Sequence, residues 1–176
     1  IIMGICYSSI ASFINIYAIE INLVTAASYF FIVYAVFLFI SRPIAGKLLD
    51  AKGDNIVVYP AIIFFALSLL CMSFVNSALM LLLAGALAAI GFGTYMSSVQ
   101  VICTKVSPHH KMGLAISTFF IGLDFGVGVG PFLLGFIIPV VGYRHLYLIL
   151  SLLVLCMLIA YYIIHGRTAT VKKLKA

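Results

Sequence analysis

One acidic side chain, Asp124, lies deep inside an otherwise apolar stretch of the sequence. Counted from Met112, it lies about 18 Å along a helix, close to the middle of a bilayer. An ionised acid at that depth costs about 2.5–3.5 kcal/mol, so it must be neutral, paired or in contact with water. We expect no Lys or Arg of this chain to lie deep enough to pair with it. Asp124 is therefore a candidate for proton coupling.

A structural role for Asp124 stays open beside the coupling role. Gly122, Gly126 and Gly130 surround it at intervals of four residues, and Pro131 follows. Glycines at this spacing let a helix pack closely against a neighbour, and Pro131 removes a backbone donor. A protonated Asp124 could hydrogen-bond a neighbouring helix, or find an Arg outside this chain.

Polar side chains also mark one face of the first apolar stretch and the end of the fourth. These hydroxyls could bond to their own helix backbone or to a neighbouring helix, which is common in membranes. They could equally line a water-filled cavity, and both interpretations are open. The candidate cavity residues are Tyr7, Ser8, Ser12, Asn15, Tyr95 and Ser98.

The sequence contains no recognisable metal, cofactor or catalytic pattern. Its four cysteines lie singly in separate apolar stretches, at positions 6, 71, 103 and 156, so each is expected to be a small buried hydrophobe. There is no His-Glu-x-x-His, no Gly-x-Ser-x-Gly, and only one intramembrane acid where an aspartyl pair needs two. We predict that the chain is not an enzyme and needs no metal or cofactor. An intramembrane enzyme and a channel or scaffold subunit remain as less favoured alternatives.

The composition identifies an all-α, polytopic membrane protein. Hydrophobic residues make up 65% of the chain and charged residues 8%. A helix needs about 20 apolar residues to span a bilayer, and six segments qualify. They are approximately residues 1–20, 24–41, 56–76, 79–104, 112–140 and 146–164, within a domain of residues 1–165 that a basic tail at 166–176 follows.

The distribution of basic residues predicts the orientation. Nine of ten fall on one side of the predicted spans, in the loops near 42–52 and 105–111 and in the tail, whereas Arg144 lies on the other. Because cytoplasmic loops are rich in Lys and Arg, both ends of the chain are predicted to be cytoplasmic, in a multi-pass protein of the cell membrane. This placement explains the net charge of +6 without nucleic-acid binding.

A charged stretch, residues 42–55, interrupts the apolar sequence after the second span and is predicted to be rich in turns. Gly53 and the two residues after it predict a tight turn. The spacing Gly46-x-Leu48-x-Asp50-x-x-Gly53, with Arg42 before it, resembles the loop signature of the major facilitator superfamily of transporters. Here Asp54 and Asn55 replace the usual basic pair, as in the weaker copy between the eighth and ninth helices.

A second motif resembles the Gly-rich antiporter motif of drug-exporting members of that superfamily. Gly126, Gly130 and Pro131 match it, whereas Ser117 and Leu134 stand where it has glycine. Together with the six spans, the two motifs make the whole chain similar to helices seven to twelve of such a transporter, in the drug/proton antiporter-like branch.

The resemblance implies half of a two-half bundle built from inverted three-helix repeats. The first and fourth spans would line the cavity, the second and fifth would pack on a missing N-terminal half, and the third and sixth would face lipid. It implies proton-coupled efflux of a small organic solute by alternating access. Asp50 would act as a latch against a partner in the missing half. The chain begins with Ile1 inside an apolar run, so we expect it to be a piece of a longer polypeptide.

Overall fold

The computed structural model describes residues 1–166, and within them it is helical with no strand. The predicted all-α fold is confirmed. The residues 167–176 of the predicted basic tail lie outside the described residues. The helices are α1 (Ile2–Glu20), α2 (Val24–Lys52), α3 (Asp54–Ser73), α4 (Ala78–Ala88), α5 (Thr94–Val106) and α6 (Met112–Tyr161). A π-helical segment, Ala89–Gly93, joins α4 to α5, a 3-10 turn, His109–Lys111, precedes α6, and a π turn, Tyr162–Gly166, follows it.

Among residues 1–166, five continuous helical stretches are long and apolar enough to cross a membrane. The last of these contains two arms, because Gly142 adopts φ 74° and ψ 164° inside α6. The N-terminal arm (residues 112–141) runs parallel to α1, since Gly126 lies against Ile1 and Gly130 against Ser8. The C-terminal arm (residues 143–161) runs antiparallel to it, since Tyr143 contacts Tyr17 and Tyr147 bonds Ser9. The chain therefore reverses at a single glycine, within residues 141–145, between the fifth and sixth predicted spans.

The charged stretch after the second span is helical, which corrects the prediction of a turn-rich loop. Helix α2 continues through Pro43 to Lys52, and the turn is confined to Gly53 at φ 91°. Proline is tolerated in membrane helices, where neighbouring helices compensate for the missing donor. The extension of α2 also buries Ala45 and Leu49 against the start of α3, which stabilises it as helix.

Buried hydroxyl groups connect the helices through backbone carbonyls. Tyr17 of α1 donates to the Met72 carbonyl at 2.8 Å, and Ser68 of α3 donates to Ala84 of α4 at 2.8 Å. The C-terminal arm of α6 adds the Tyr147 bond to the Ser9 carbonyl at 3.2 Å and the Ser151 bond to the Ala66 carbonyl at 2.9 Å. These hydroxyls hold helices together in a core without charged side chains.

Glycines bring two pairs of helices into close contact. A Cβ on Gly93 would meet Leu38 of α2, so the π segment packs closely on α2 at this glycine. On α6, Gly126 lies against the Ile1 backbone and Gly130 lies against Ser8. The expectation that the glycine-rich span packs on a missing half is therefore wrong for these glycines, because their partner is α1.

The third helix is more buried than its plain sequence suggested. Of its most apolar window 56% is buried, against 22% for α2 and for α6. It packs on α4, the π segment, α5 and α6. Its exposed residues form one apolar stripe: Ile56, Pro60, Ile63, Phe64, Leu67, Leu70 and Phe74. Helix α3 therefore has one exposed apolar stripe, and its facing lipid stays a prediction.

Candidate functional site

The candidate site is an open cavity of about 330 Å³ lined by α1, α2, the π segment, α5 and the N-terminal arm of α6. Four predicted spans therefore contribute to it, where the family resemblance implied two. We call it the central cavity. Its lining residues are Tyr7, Tyr34, Leu38, Arg42, Phe92, Gly93, Met96, Leu123, Asp124 and Val127.

Aromatic rings form one wall of the central cavity. Tyr7 stacks on Phe92, with ring centroids 4.1 Å apart and an interplanar angle of 2°. Tyr34 lies with its ring centroid 6.3 Å from that of Tyr7. The cavity therefore presents flat, polarisable surfaces to a solute.

The π-helical segment positions Phe92. Isolated π turns inside helices occur frequently at functional sites, because the extra residue shifts the side chains that follow it. Helix α3 packs directly on this π turn, because Gly91 lies so close to the backbone of Phe65 that a Cβ would not fit between them. Phe92 is thus fixed between Phe65, at a centroid distance of 5.4 Å, and Tyr7.

Two oppositely charged side chains face the central cavity from different helices. Arg42 belongs to α2 and Asp124 to α6, and they are the only charged residues among its ten lining residues. Both side chains are exposed. The two ion pairs found within residues 1–166 both involve Lys105, so Arg42 and Asp124 share the cavity without lying within 4 Å of each other. No Lys or Arg pairs with Asp124 among residues 1–166, although Arg42 lines the same cavity.

The predicted cavity residues on α1 separate into different environments. Tyr7 lines the central cavity. Ser8 is buried against Gly130 and donates to the Ile5 carbonyl at 2.7 Å, so it serves packing. Ser12 and Asn15 are exposed on α1 but do not line the central cavity.

The predicted residues of the fourth span lie beside the cavity. Tyr95 is half-buried against the core and Ser98 is buried, and neither lines the cavity. The neighbouring Met96 lines it instead. Met96 lies within two residues of both Tyr95 and Ser98. The sequence therefore indicated this part of α5, but it did not indicate how α5 is rotated about its axis.

Sequence reasoning missed the contribution of α2. Tyr34, Leu38 and Arg42 are spaced four residues apart and form one helical face that lines the central cavity. That pattern is visible in the sequence. It was hidden by the prediction that Arg42 belongs to a loop.

The charged end of α2 pairs with a residue of this chain. The ammonium of Lys105, at the end of α5, lies 3.8 Å from a carboxylate oxygen of Asp50 and 3.8 Å from one of Asp54. The side chain of Asp50 is 79% exposed. The resemblance implied a partner for Asp50 in a missing half, whereas Lys105 supplies one within the described residues.

A second cavity, of about 340 Å³, lies between α2 and α3. It is lined almost entirely by apolar residues, and its polar side chains are Ser41 and Thr94. The Thr94 hydroxyl is buried and has no hydrogen-bond partner within residues 1–166. This cavity holds no charged group, so we take the central cavity as the candidate site.

The chain matches a protein family over its whole length and individual relatives over part of it. The model of the Major Facilitator Superfamily matches residues 1–176. The chain is 27% identical over 109 residues to the 4-hydroxybenzoate transporter PcaK of Pseudomonas aeruginosa, covering 62% of this chain and 24% of that protein. It is 30% identical over 135 residues to the multidrug resistance protein MdtG of Salmonella dublin, covering 76% and 33%. With MdtG of Proteus mirabilis the identity is 26% over 179 residues, covering 97% and 44%. The chain thus spans less than half the length of these relatives.

Proposed function

Because this chain belongs to the major facilitator superfamily, we propose that it forms one half of a secondary transporter that moves a small organic solute across the membrane by alternating access. The observation that carries the proposal is the central cavity, in which aromatic rings and two opposite charges converge from four spans. Sites at the interface of such repeats become accessible from each side in turn when the halves rock.

The second half of the transporter is a further part of this proposal. Helices α2 and α6 each leave most of their apolar surface exposed, as faces that pack on a partner bundle would be. The much greater length of the relatives supports the same view. Residues 1–166 form a multi-pass membrane unit, and the Lys/Arg bias favours cytoplasmic placement of both of its ends.

We propose that the transporter exports its solute and that a proton gradient drives this export. The name of the MdtG relatives associates them with multidrug resistance, which favours export. Asp124 is the residue proposed to carry the proton, because it is the one acid in the central cavity. An intramembrane carboxylate is functional by default, since its burial is costly.

Other function classes have less support. Family membership places the chain among transporters rather than enzymes, as the sequence predicted. A channel would need a continuous pore or filter, whereas the central cavity is a compact pocket with walls of side chains from four spans. A scaffold would have no use for opposite charges in such a pocket.

The test is transport in proteoliposomes that contain the intact transporter carrying residues 1–176. An imposed pH gradient should drive accumulation of solutes from a panel of aromatic and drug-like compounds. Asp124→Asn keeps size and hydrogen bonding but cannot titrate, so it should lose that accumulation and keep exchange of saturating solute down its own gradient. Glu20→Gln, an acid outside the cavity, is the matched control. Unchanged pH-driven accumulation in Asp124→Asn would eliminate the coupling role.

A further inference from the structure

We infer that the central cavity binds a small zwitterion with an aromatic body, whose anionic group pairs with Arg42 and whose cationic group pairs with Asp124. The inference rests on the proposed transport function and narrows its substrate class. It depends on the placement of two charges, on the aromatic wall between helices, and on the size of the cavity.

The charges of Arg42 and Asp124 indicate which charged groups the solute carries. Arg42 and Asp124 come from α2 and α6, face one space, and do not lie within ion-pair distance of each other. Both side chains are exposed, but a bound solute would displace water from them, and a charge without water is costly unless it is paired. A singly charged solute would satisfy one of the two groups and be repelled by the other, and a neutral solute would satisfy neither. A zwitterion satisfies both.

The aromatic wall indicates that the part of the solute between its two charged groups is an aromatic ring. The half-buried rings of Tyr7 and Tyr34 offer aromatic surface to a planar group, and the buried Phe92 supports Tyr7 by stacking on it. Ring faces also attract a cationic group, which favours a solute with a positive end over a purely anionic one.

The volume limits the solute to a small molecule. The cavity of about 330 Å³ corresponds to roughly eleven water molecules at about 30 Å³ each. It lies near the lower end of the range of ligand pockets, which is about 300–1,000 Å³. A single substituted ring fits such a space.

The test uses three probes that share one ring and differ in charge. They are 4-(aminomethyl)benzoate, a zwitterion, 4-methylbenzoate, an anion, and 4-methylbenzylamine, a cation. Equilibrium binding of each radiolabelled probe is measured on the intact transporter in detergent at neutral pH. The zwitterion should bind at least about tenfold more tightly than either singly charged probe, given the strength of hydrogen bonds to charged groups.

Two variants should change the preference in opposite directions. Arg42→Gln should weaken zwitterion binding at least about tenfold and improve binding of the cation, which no longer meets the guanidinium. Asp124→Asn should weaken the zwitterion similarly and improve the anion. Lys47→Gln, an exposed cation on the same helix as Arg42 but outside the cavity, should leave all three affinities unchanged.

Folding and transport are measured separately from binding, so that a loss of binding is not confused with unfolding or with a loss of transport. Cys6 is fully buried, and its resistance to a maleimide reports that each variant is folded. The inference is overturned if the folded wild type binds no zwitterion, or binds either singly charged probe as tightly, or if Lys47→Gln reproduces the change of Arg42→Gln. Gradient-driven transport without charge preference would overturn this inference alone. Charge-selective binding without transport of any solute would overturn the proposed transport function alone.

Discussion

Substitution of Gly126 by Ala should separate α1 from the N-terminal arm of α6. An added Cβ would lie against the carbonyl oxygen of Ile1, 3.0 Å from its carbonyl carbon and 3.1 Å from the amide nitrogen of Ile5. All three atoms belong to backbone, so no side chain can rotate away. The two helices must move apart, and the neighbouring contact at Gly130 opens with them.

The magnitude follows from two opposing effects. Overpacking of a close-packed site costs about 1–3 kcal/mol. Replacement of Gly by Ala inside a helix regains about 1 kcal/mol of helix propensity. A net loss of up to about 2 kcal/mol remains for Gly126→Ala. A change of one or two kcal/mol alters the ratio of folded to unfolded protein by a factor of about 5–30.

Gly128 provides a matched control, because it lies on the same arm and a Cβ there would meet nothing within 4 Å. Gly128→Ala should be neutral or slightly stabilising, since only the gain in propensity applies. The assay is maleimide labelling of Cys6, which is fully buried in α1, during thermal unfolding in detergent. Labelling is localised by mass spectrometry. If both variants expose Cys6 at the same temperature, the contact between α1 and α6 is not close-packed and the reasoning fails.

Three further predictions concern single positions. Gly142→Ala should destabilise the protein by about 1–3 kcal/mol, because a side chain would have to adopt φ 74° at the reversal of α6; thermal unfolding measures it. Ser151→Ala removes the hydrogen bond to the Ala66 carbonyl and should lower the free energy of unfolding by about 0.6 kcal/mol, and by at most about 1.7 kcal/mol. Thermal unfolding measures this change as well. Asp50→Asn should change the free energy of unfolding by less than about 1 kcal/mol, because the ion pair of Asp50 with Lys105 is exposed. The same substitution should shift the intact transporter toward inward-facing states, which cysteine accessibility on the cytosolic side measures.

Each of these three has a distinct contradicting result. Unchanged stability of Gly142→Ala would mean that α6 continues as one straight helix. A loss for Ser151→Ala equal to that for Ser28→Ala, whose exposed hydroxyl bonds only its own helix, would remove the interhelical role. Unchanged accessibility in Asp50→Asn would leave this carboxylate as an ordinary surface residue.

The sequence by itself determined the class of protein and its family. The chain has 65% hydrophobic and 8% charged residues and is divided into continuous apolar runs of about 20 residues, the length of a helix that satisfies its own backbone in lipid, so the all-α membrane fold follows from the sequence. Motif spacing then identified the superfamily, which the match over residues 1–176 confirms. Asp124 and Tyr7 could be selected as site candidates because a polar group in an apolar stretch stands out locally.

Only the tertiary structure decided which residues meet. The contact of Gly126 with Ile1 joins positions far apart in the chain and depends on how each helix is rotated about its axis, which local pattern does not specify. The same holds for Arg42 and Asp124. Arg42 lines the central cavity because it lies within α2 rather than in a loop, and the rest of α2, up to Lys52, is stabilised by packing on α3. Helix existence is a local property of a sequence in lipid, whereas helix rotation is a property of the packed bundle.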